Sequence, residues 1–407
     1  MILKQPRAVA VIGATLLLVA CKAQGTPPVA LNQPSSTWQS VRENANGESV
    51  AYQINVQHTG YADAQLRRPL KQLWSIDLGT GYRGTVGYSV IANRIVVTTV
   101  SDKLVALDEK TGKKLWTQVS PSQGSGTNGW IGPAYDNGMI FVDPASPKSS
   151  NAPGMFAFDE RTGKKLWSTF AGAPFTSPPT AASGIVYTSS NGKVYAFDET
   201  TGSLKWTASV ENGDDSSPAV TQNGVYVSYA CPQTYDFDPS SGKLLWHFAG
   251  PCEGGGGSTP VLYNGLLYVE DADLSNGYTG LILNARNGRT AGGFNANHPP
   301  AFAHDVGFFV DEGTLKAQSV PKMKSLWTAQ ISSSEGYATP PLVIGNIVYV
   351  ATTANTLAGY DVANGKQKVN EDLGNGGYYH TYSAALAYGD GELIVPNGSY
   401  LIAFVGS

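Results

Sequence analysis

The stretch VYAFDETTGSLKW, residues 194–206, is the clearest copy of a thirteen-residue phrase that recurs along the chain. Its alternating apolar residues predict a strand, and its Asp and Gly predict a tight turn. A second strand then leads to Trp206. The other copies, full or degenerate, occupy residues 104–116, 155–167, 234–246, 280–292, 315–327 and 357–369, with a truncated copy at 401–405.

The spacing of the phrase predicts the architecture. Its anchor position, Asp in most copies, recurs at intervals of 35 to 51 residues, with a mean of about 42. A period of this length with strand-like content is typical of a propeller blade. Hairpin signals precede the phrases, as in SPAVTQNGVYVSY (217–229), so each unit has four strands. The predicted fold is all-β, an eight-bladed β-propeller of four-stranded antiparallel blades, with seven blades as the alternative because the later units are degenerate.

The Trp that ends the phrase suits the wedge between neighbouring blades, where an indole buries apolar area and donates its N–H to a carbonyl. Trp74 stands in LKQLWSIDLG (70–79), which has no hairpin before it. We expect this N-terminal segment to pair with the last blade and close the ring. The residues expected to form this docking motif are Asp108, Gly112, Trp116, Asp159, Gly163, Trp167, Asp198, Gly202, Trp206, Asp238, Gly242, Trp246, Trp327 and Trp74.

The N-terminus predicts export. Two basic residues precede an apolar stretch of thirteen residues (8–20), which is too short to span a bilayer and is typical of a signal peptide. The tetrapeptide at 18–21 resembles a lipobox, so we expect residues 1–20 to be a lipoprotein signal peptide and Cys21 to be acylated. A plain secretory signal is the alternative.

The residues after Cys21 predict where the protein resides. Lys22 stands where aspartate retains many lipoproteins in the inner membrane, which favours the periplasmic side of the outer membrane. Residues 21–57 are rich in Pro, Ser, Asn and Gln and predict a flexible, lipid-anchored tether. The propeller is expected over residues 58–407.

Charge and cysteine content narrow the partners. Without residues 1–20 the chain has 25 basic and 31 acidic residues, a net charge of −6, and no basic run stands out. We therefore expect no nucleic-acid ligand. Cys231 and Cys252 lie 21 residues apart in one predicted blade. An exported location permits a disulfide between them, and two free thiols are the alternative.

The Asp-x-x-Thr-Gly-x-x-x-Trp phrase, together with VQHTGY (56–61) and KQLWSIDLG (71–79), resembles the docking motif of PQQ-type β-propellers over about 340 residues. That family contains quinoprotein dehydrogenases and non-enzymatic lipoproteins that assist outer-membrane β-barrel assembly. The length and the predicted anchor are most similar to those lipoproteins. The resemblance implies a scaffold whose loops contact the periplasmic domains of the central barrel subunit of the assembly machinery.

No catalytic set or metal site stands out in the sequence. Ca²⁺ takes six to eight oxygen ligands, and resembling dehydrogenases usually add an adjacent Cys pair, which this chain lacks. We expect a non-enzymatic scaffold without cofactor or metal. The alternatives are a dehydrogenase dependent on PQQ and Ca²⁺, or a propeller that binds glycan or protein. The candidates for partner binding, in predicted loops that enter the inner strands, are Arg83, Trp130, Asp214, Asp215, Glu253, Glu335, Tyr378, Tyr379 and His380.

Overall fold

In the computed structural model, the described residues form 33 strands arranged in eight sheets. Within the residues that it describes, no helix is long and apolar enough to cross a membrane. The predicted signal peptide, Cys21 and the first part of the predicted tether lie outside those residues. The described residues are 47–79, 86–121, 129–144, 154–169, 177–190, 192–211, 216–250, 259–270, 278–331, 338–352, 354–374 and 384–407.

Strands β1 (Tyr61–Ala62) and β2 (Leu70–Asp77) precede the first complete blade and belong to later ones. Blades 1 to 4 are each four consecutive antiparallel strands, the first innermost and the fourth outermost. Blade 1 contains β3 (Val86–Ala92), β4 (Ile95–Val100), β5 (Lys103–Asp108) and β6 (Lys114–Val119); blade 2 contains β7 (Trp130–Asp136), β8 (Met139–Pro144), β9 (Phe156–Asp159) and β10 (Lys165–Ser168); blade 3 contains β11 (Thr180–Ala182), β12 (Ile185–Ser190), β13 (Lys193–Asp198) and β14 (Leu204–Ser209); blade 4 contains β15 (Ala219–Thr221), β16 (Gly224–Tyr229), β17 (Gln233–Phe237) and β18 (Leu244–Ala249).

Blades 5 to 8 continue the same order, although their copies of the phrase are degenerate. Blade 5 contains β19 (Val261–Tyr263), β20 (Leu266–Glu270), β21 (Gly280–Asn284) and β22 (Thr290–Phe294); blade 6 contains β23 (Ala301–Ala303), β24 (Val306–Asp311), β25 (Thr314–Ser319) and β26 (Lys324–Gln330); blade 7 contains β27 (Leu342–Ile344), β28 (Ile347–Thr352), β29 (Thr356–Asp361) and β30 (Gln367–Asp372); blade 8 contains β31 (Ala387–Gly389), β32 (Glu392–Asn397) and β33 (Tyr400–Gly406).

The N-terminal strands complete the ring. Strand β2 pairs antiparallel with β33, from Leu70 opposite Gly406 to Asp77 opposite Tyr400, and supplies the outer strand of blade 8. The prediction of eight blades closed by an N-terminal strand is therefore confirmed. Strand β1 adds a fifth, parallel strand to the inner edge of blade 7, next to β27, which the sequence did not predict.

The docking motif joins neighbouring blades through backbone groups. The indole of Trp116 donates its N–H to the carbonyl of Glu160 at 2.7 Å and lies against Gly163 of blade 2. Gly163 has φ of +67°, and a Cβ there would lie 2.6 Å from the indole, so both the turn and the contact require glycine. The same N–H to carbonyl bond is made by Trp74, Trp167, Trp206, Trp246 and Trp327.

The carboxylate of the phrase shapes its turn, as expected. Asp108 Oδ1 accepts hydrogen bonds from the backbone N–H and the hydroxyl of Thr111, at 2.9 and 2.6 Å. Asn284 replaces the carboxylate in blade 5 and still accepts from the N–H of Arg286. Because an amide oxygen can accept the same bond, the degenerate copy keeps its turn.

The ring has two different faces. On one, here named the turn face, lie the turns between the first and second strands and between the third and fourth strands of each blade. On the other, the loop face, lie the turns between the second and third strands and the connections from blade to blade. This assignment follows from the antiparallel strand order.

Candidate functional site

The centre of the ring is crossed by the chain's own N-terminal segment, Glu48–Ala62, here named the channel plug. Ser49 donates its N–H to the carbonyl of Tyr388 in blade 8, and plug carbonyls accept N–H groups from the innermost strands of six other blades. The plug therefore bonds to seven of the eight blades. The donors to the plug are Ile91, Tyr135, Val220, Leu262, Phe302 and Val343, at 2.7 to 3.0 Å.

The plug changes the domain boundary expected from the sequence. Residues 47–57 were assigned to the flexible tether, but Ser49, Ala51 and Gln53 are each at most 2% exposed. They are part of the folded ring, since Ser49 bonds to the inner strands of blades 8 and 1, and Ala51 and Gln53 form backbone hydrogen bonds within the plug. Every inner-strand donor lies within two residues of a turn at the turn face, so the plug closes the channel at that end.

Three plug residues other than glycine adopt left-handed backbone conformations: Gln53, Ile54 and His58, with φ of 49°, 78° and 60°. Positive φ is an outlier for a β-branched residue such as Ile54. The conformation is held by bonds within the plug, in which the N–H of Val50 donates to Ile54 and that of Gly60 donates to Gln53. The strain is therefore balanced by the fit of the plug to the ring.

His58, a residue of the plug, is fully buried against blades 4 and 5. Its Nδ1 lies 3.1 Å from the carbonyl of Pro260, and its Nε2 lies 3.4 Å from Ser217 Oγ. A carbonyl can only accept, so Nδ1 carries the proton and Nε2 accepts from the hydroxyl. Burial lowers the pKa of His58 to about 4, so its imidazole is neutral at physiological pH.

A second buried polar group joins blades 2 and 3. Asp143 is fully buried, and its Oδ2 accepts from the hydroxyl of Thr188 at 2.9 Å. Its Oδ1 has no hydrogen-bond partner among the described residues. Burial raises the pKa of Asp143 well above its usual value.

Tyr88 and Tyr52 extend this polar region to the plug. Their rings meet edge to face with centroids 5.2 Å apart. The hydroxyl of Tyr88 is buried without a partner within the described part of the chain. Burial, followed by the charges of Tyr52 and Asp143, raises the pKa of Tyr88 well above its usual value. Burial thus disfavours the ionised forms of His58, Asp143 and Tyr88.

The structure describes one of the sequence-predicted partner-binding residues, Trp130. It is 6% exposed and packs edge to face on Phe156 and Phe158. The prediction of Trp130 as a contact residue is therefore wrong, because this aromatic begins β7 and belongs to the core. The other candidates lie outside the described residues: Arg83, Asp214, Asp215, Glu253, Glu335, Tyr378, Tyr379 and His380.

Cys231 is disulfide-bonded. It lies in the turn between β16 and β17, at the loop face, with φ of 62°. Its predicted partner, Cys252, lies outside the described residues, so the pairing itself stays a prediction.

Sequence reasoning missed the plug and the groups around it. His58 lies inside VQHTGY, and the run Ser49–Gln53 has no alternating pattern. The plug binds through backbone carbonyls, which leave no signal in side-chain type. Asp143 and Thr188 are 45 positions apart, so only the propeller register brings them together.

Comparisons with known proteins identify the family. The family model described as "Outer membrane protein assembly factor BamB" matches residues 70–214 and 190–300, more than half of the chain. The chain belongs to this family. BamB of Moranella endobia (strain PCIT) is 28% identical over 148 residues, 35% of this chain and 38% of that protein.

Similarity within the propeller extends to an enzyme. Tetrathionate hydrolase of Acidithiobacillus ferrooxidans is 26% identical over 216 residues, 49% of this chain and 35% of that protein. The chain spans about a third of the length of both curated relatives. The crystal structure of quinohemoprotein alcohol dehydrogenase from Comamonas testosteroni superposes with a TM-score of 0.69 at 15% identity, covering 89% of this chain and 81% of that one. At that identity the likeness concerns the fold alone.

Proposed function

We propose that this BamB-family propeller is a non-catalytic scaffold of the cell envelope, lipid-anchored through Cys21 on the periplasmic side of the outer membrane. It assists β-barrel assembly by contacting the periplasmic domains of the central barrel subunit. Family membership supports this proposal, together with the signal-like N-terminus. Nucleic acid has no part in it.

The plug is the structural observation that carries the proposal. It places the chain's own backbone against the turn-face ends of the inner strands. We therefore assign the partner contacts to the loop face. In sequence, the candidates other than Trp130 fall between strands that end at that face. A rigid ring that presents loops at one face is suited to protein contacts, because loops carry binding residues on a fixed frame.

PQQ and Ca²⁺, which the fold family implies, do not fit the described residues. Within the ranges described above, no three side chains of His, Cys, Asp or Glu are placed to hold a metal ion. Asp143 Oδ1 has no hydrogen-bond partner among the described residues, but it belongs to a single buried carboxyl, and Ca²⁺ takes six to eight oxygen ligands. The cysteines, at positions 21, 231 and 252, provide no adjacent pair. We therefore derive no step through these groups.

The scaffold proposal is tested by purifying the tagged full chain from detergent-solubilised membranes. We expect barrel-assembly components to co-purify, and the triple variant Tyr378→Ala, Tyr379→Ala, His380→Ala to recover at least about tenfold less. A matched control is Lys366→Ala, an exposed residue of the turn face, which should recover as much as the natural chain. Recovery of no assembly component under mild conditions contradicts the proposal.

The anchor is tested separately. Cys21→Ser should release the chain from the membrane fraction, because one acylated residue provides the attachment. Membrane fractionation and labelling with a fatty acid analogue measure both effects. If Cys21→Ser stays in the membrane fraction and the natural chain takes up no label, the lipid anchor is wrong.

The second candidate is an enzyme, and similarity to tetrathionate hydrolase favours it. Purified protein titrated with PQQ and Ca²⁺ should show no stoichiometric binding and no dye reduction with alcohols or sugars. Tetrathionate should likewise not be consumed. Turnover in either assay would replace the scaffold by an enzyme, and binding of a glycan array would favour a carbohydrate-binding propeller.

A further inference from the structure

The exposed cations of the ring are concentrated at the turn face. Five of the turns between the third and fourth strands carry Lys or Arg directly after the phrase's Gly: Lys113, Lys164, Lys243, Arg289 and Lys366. These residues are far apart in sequence, so no basic run marks them. Around blades 8, 1 and 2 they form one set, here named the basic arc: Arg67, Arg68, Lys71, Lys110, Lys113, Lys114, Arg161, Lys164 and Lys165, all exposed.

Nearby carboxylates only partly offset the arc. Asp108 and Asp159 each accept hydrogen bonds inside their own turns. Glu109 and Glu160 are buried, and burial raises the pKa of both. Asp63 is an exposed anion at the arc's edge. Within the described part of the chain, no arc cation forms an ion pair, so the arc presents a net positive surface.

Exposed leucines accompany the arc. Leu73, Leu115 and Leu166 are 39%, 44% and 45% exposed, and each directly precedes a docking Trp. Each is the extra residue of a β-bulge, which turns it outward while the indole turns to the seam. Leucine also occupies this position in blades 4 and 6, as Leu245 and Leu326, each 47% exposed, whereas Lys205, Ala291 and Lys368 occupy it in blades 3, 5 and 7. The bulge therefore does not require leucine, and blades 8, 1 and 2 are the consecutive blades in which exposed leucines lie side by side.

Cations beside exposed leucines fit the interface of an anionic membrane, where basic residues meet headgroup phosphates and apolar side chains enter the acyl boundary. The chain enters the ring on this face, since Gly47 lies beside Ala62, whose carbonyl accepts from Gly345 in the turn of blade 7. The described part of the chain therefore begins on the side of the arc.

We propose that the basic arc contacts the headgroups of anionic lipids, with Leu73, Leu115 and Leu166 inserted at the headgroup boundary. The inference rests on the proposed function only in that the chain must be located in the cell envelope. The arrangement of cations and leucines does not depend on that function. Such a contact orients the turn face toward the membrane and leaves the loop face directed toward periplasmic partners.

A fluorophore attached at Leu115→Cys tests the contact on the lipidated full chain. Brominated lipids in phosphatidylcholine–phosphatidylglycerol vesicles should quench it, and those in pure phosphatidylcholine should not. The matched control is Val119→Cys in the same strand, 61% exposed but four residues nearer the loop face, about 13 Å away. High salt should abolish the quenching, because it screens headgroup attraction.

Charge reversal separates the arc from other cations of the same face. The quadruple variant Lys113→Glu, Lys164→Glu, Lys114→Glu, Lys165→Glu should weaken contact with anionic vesicles at least about a hundredfold. The control quadruple, Arg286→Glu, Arg289→Glu, Lys366→Glu, Lys368→Glu, makes the same change in charge in blades 5 and 7, where the bulge residue is not leucine. It should stay within about threefold of the natural chain. Circular dichroism of both variants should match the natural protein, since all eight side chains are exposed.

Three outcomes overturn the proposal: equal quenching at Leu115 and Val119, equal loss of contact in both quadruple variants, or an arc variant that binds vesicles normally but no longer recovers a protein partner. The last would assign the arc to an acidic protein instead. Failure to recover barrel-assembly components would contradict the scaffold function but would leave the vesicle result unchanged.

Discussion

The seam between blades 8 and 1 and the seam between blades 1 and 2 are made from the same motif but differ in one polar contact. Trp74 and Trp116 each donate to a turn carbonyl, of Glu109 and Glu160, and lie on a turn glycine. Beside the second seam, Asn93 donates to Glu160 Oε2 at 2.9 Å. At the seam between blades 8 and 1, here named the closure seam, Asp390 takes the position of Asn93. It places a second carboxyl beside that of Glu109.

This difference shows which part of the motif tolerates change. The indole contact uses a backbone carbonyl and a glycine, so it persists whatever side chains surround it. The polar contact uses side chains and varies from seam to seam: Asn137 repeats the amide contact with Glu199, whereas Glu109 faces Asp390, Glu392 and Glu48. The seam between blades 8 and 1 therefore has carboxyl groups where the seam between blades 1 and 2 has an amide, and its polar contact should depend more strongly on pH.

The largest effect is expected from removing the indoles. Trp74→Ala should lower the free energy of unfolding by about 3–5 kcal/mol, because Trp74 is 7% exposed and both packing and the bond to the Glu109 carbonyl are lost. Trp116→Ala should cost about 3 kcal/mol, since Trp116 is half-buried. Urea unfolding measures both. Equal stability of Trp74→Ala and the natural protein would contradict the docking account.

The turn glycines should be equivalent in the two seams. A Cβ at Gly112 would lie 2.8 Å from the ring of Trp74, and one at Gly163 would lie 2.6 Å from that of Trp116, both at positive φ. Each Gly→Ala variant should cost about 2–3 kcal/mol. Gly138→Ala is the control: its φ is +77° but nothing lies within 4 Å, so it measures the backbone cost alone, about 1 kcal/mol. If all three cost the same, the indole contact contributes nothing.

The seams also show how far the sequence predicts the fold. The Asp-Gly-Trp spacing predicted eight units, and Trp74 without a hairpin predicted ring closure, because each rests on a repeated side-chain pattern. The plug left no such pattern, since Ser49 and Val50 bind through their carbonyls. Trp130 was assigned to a loop, whereas it is the first residue of β7 and packs into the core. The predicted partner-binding loops vary from blade to blade, so no repeat constrains them.

Exchanging the polar contacts should exchange the pH dependence. Burial, followed by Glu392, Asp390 and Glu48, raises the pKa of Glu109 to about 8 from its usual 4.5. A carboxyl whose pKa is raised by folding contributes stability that is complete below about pH 4.5 and is lost as pH rises through about 8. In Asp390→Asn the new side-chain amide should donate a hydrogen bond to ionised Glu109. The free energy of unfolding above pH 8 should then rise by about 1–2 kcal/mol.

The reciprocal variant is the control for this exchange. Asn93→Asp places a carboxyl beside Glu160. Stability should then fall more steeply with rising pH than it does in the natural protein. Urea unfolding from pH 5 to 9 measures each slope. If Asp390→Asn has the same slope as the natural protein, the carboxyl group of Glu109 is not what makes the closure seam sensitive to pH.

The smallest effect should be the same in both seams. Asp108 and Asp159 accept from Thr111 and Thr162 at identical distances, 2.9 Å from the N–H and 2.6 Å from the hydroxyl. The threonine hydroxyl lowers the pKa of each carboxyl, with the backbone N–H adding to the effect. A depressed pKa contributes stability above the usual value of 3.8 that is lost as pH falls below it.

Asp108→Asn and Asp159→Asn should each cost less than about 1 kcal/mol at neutral pH, because solvent screens these groups and an amide oxygen still accepts, as at Asn284. If the two variants have matching urea midpoints, the turns contribute equally and the seams differ only at Asp390. A larger loss for Asp108→Asn would mean that its turn also supports the ring closure.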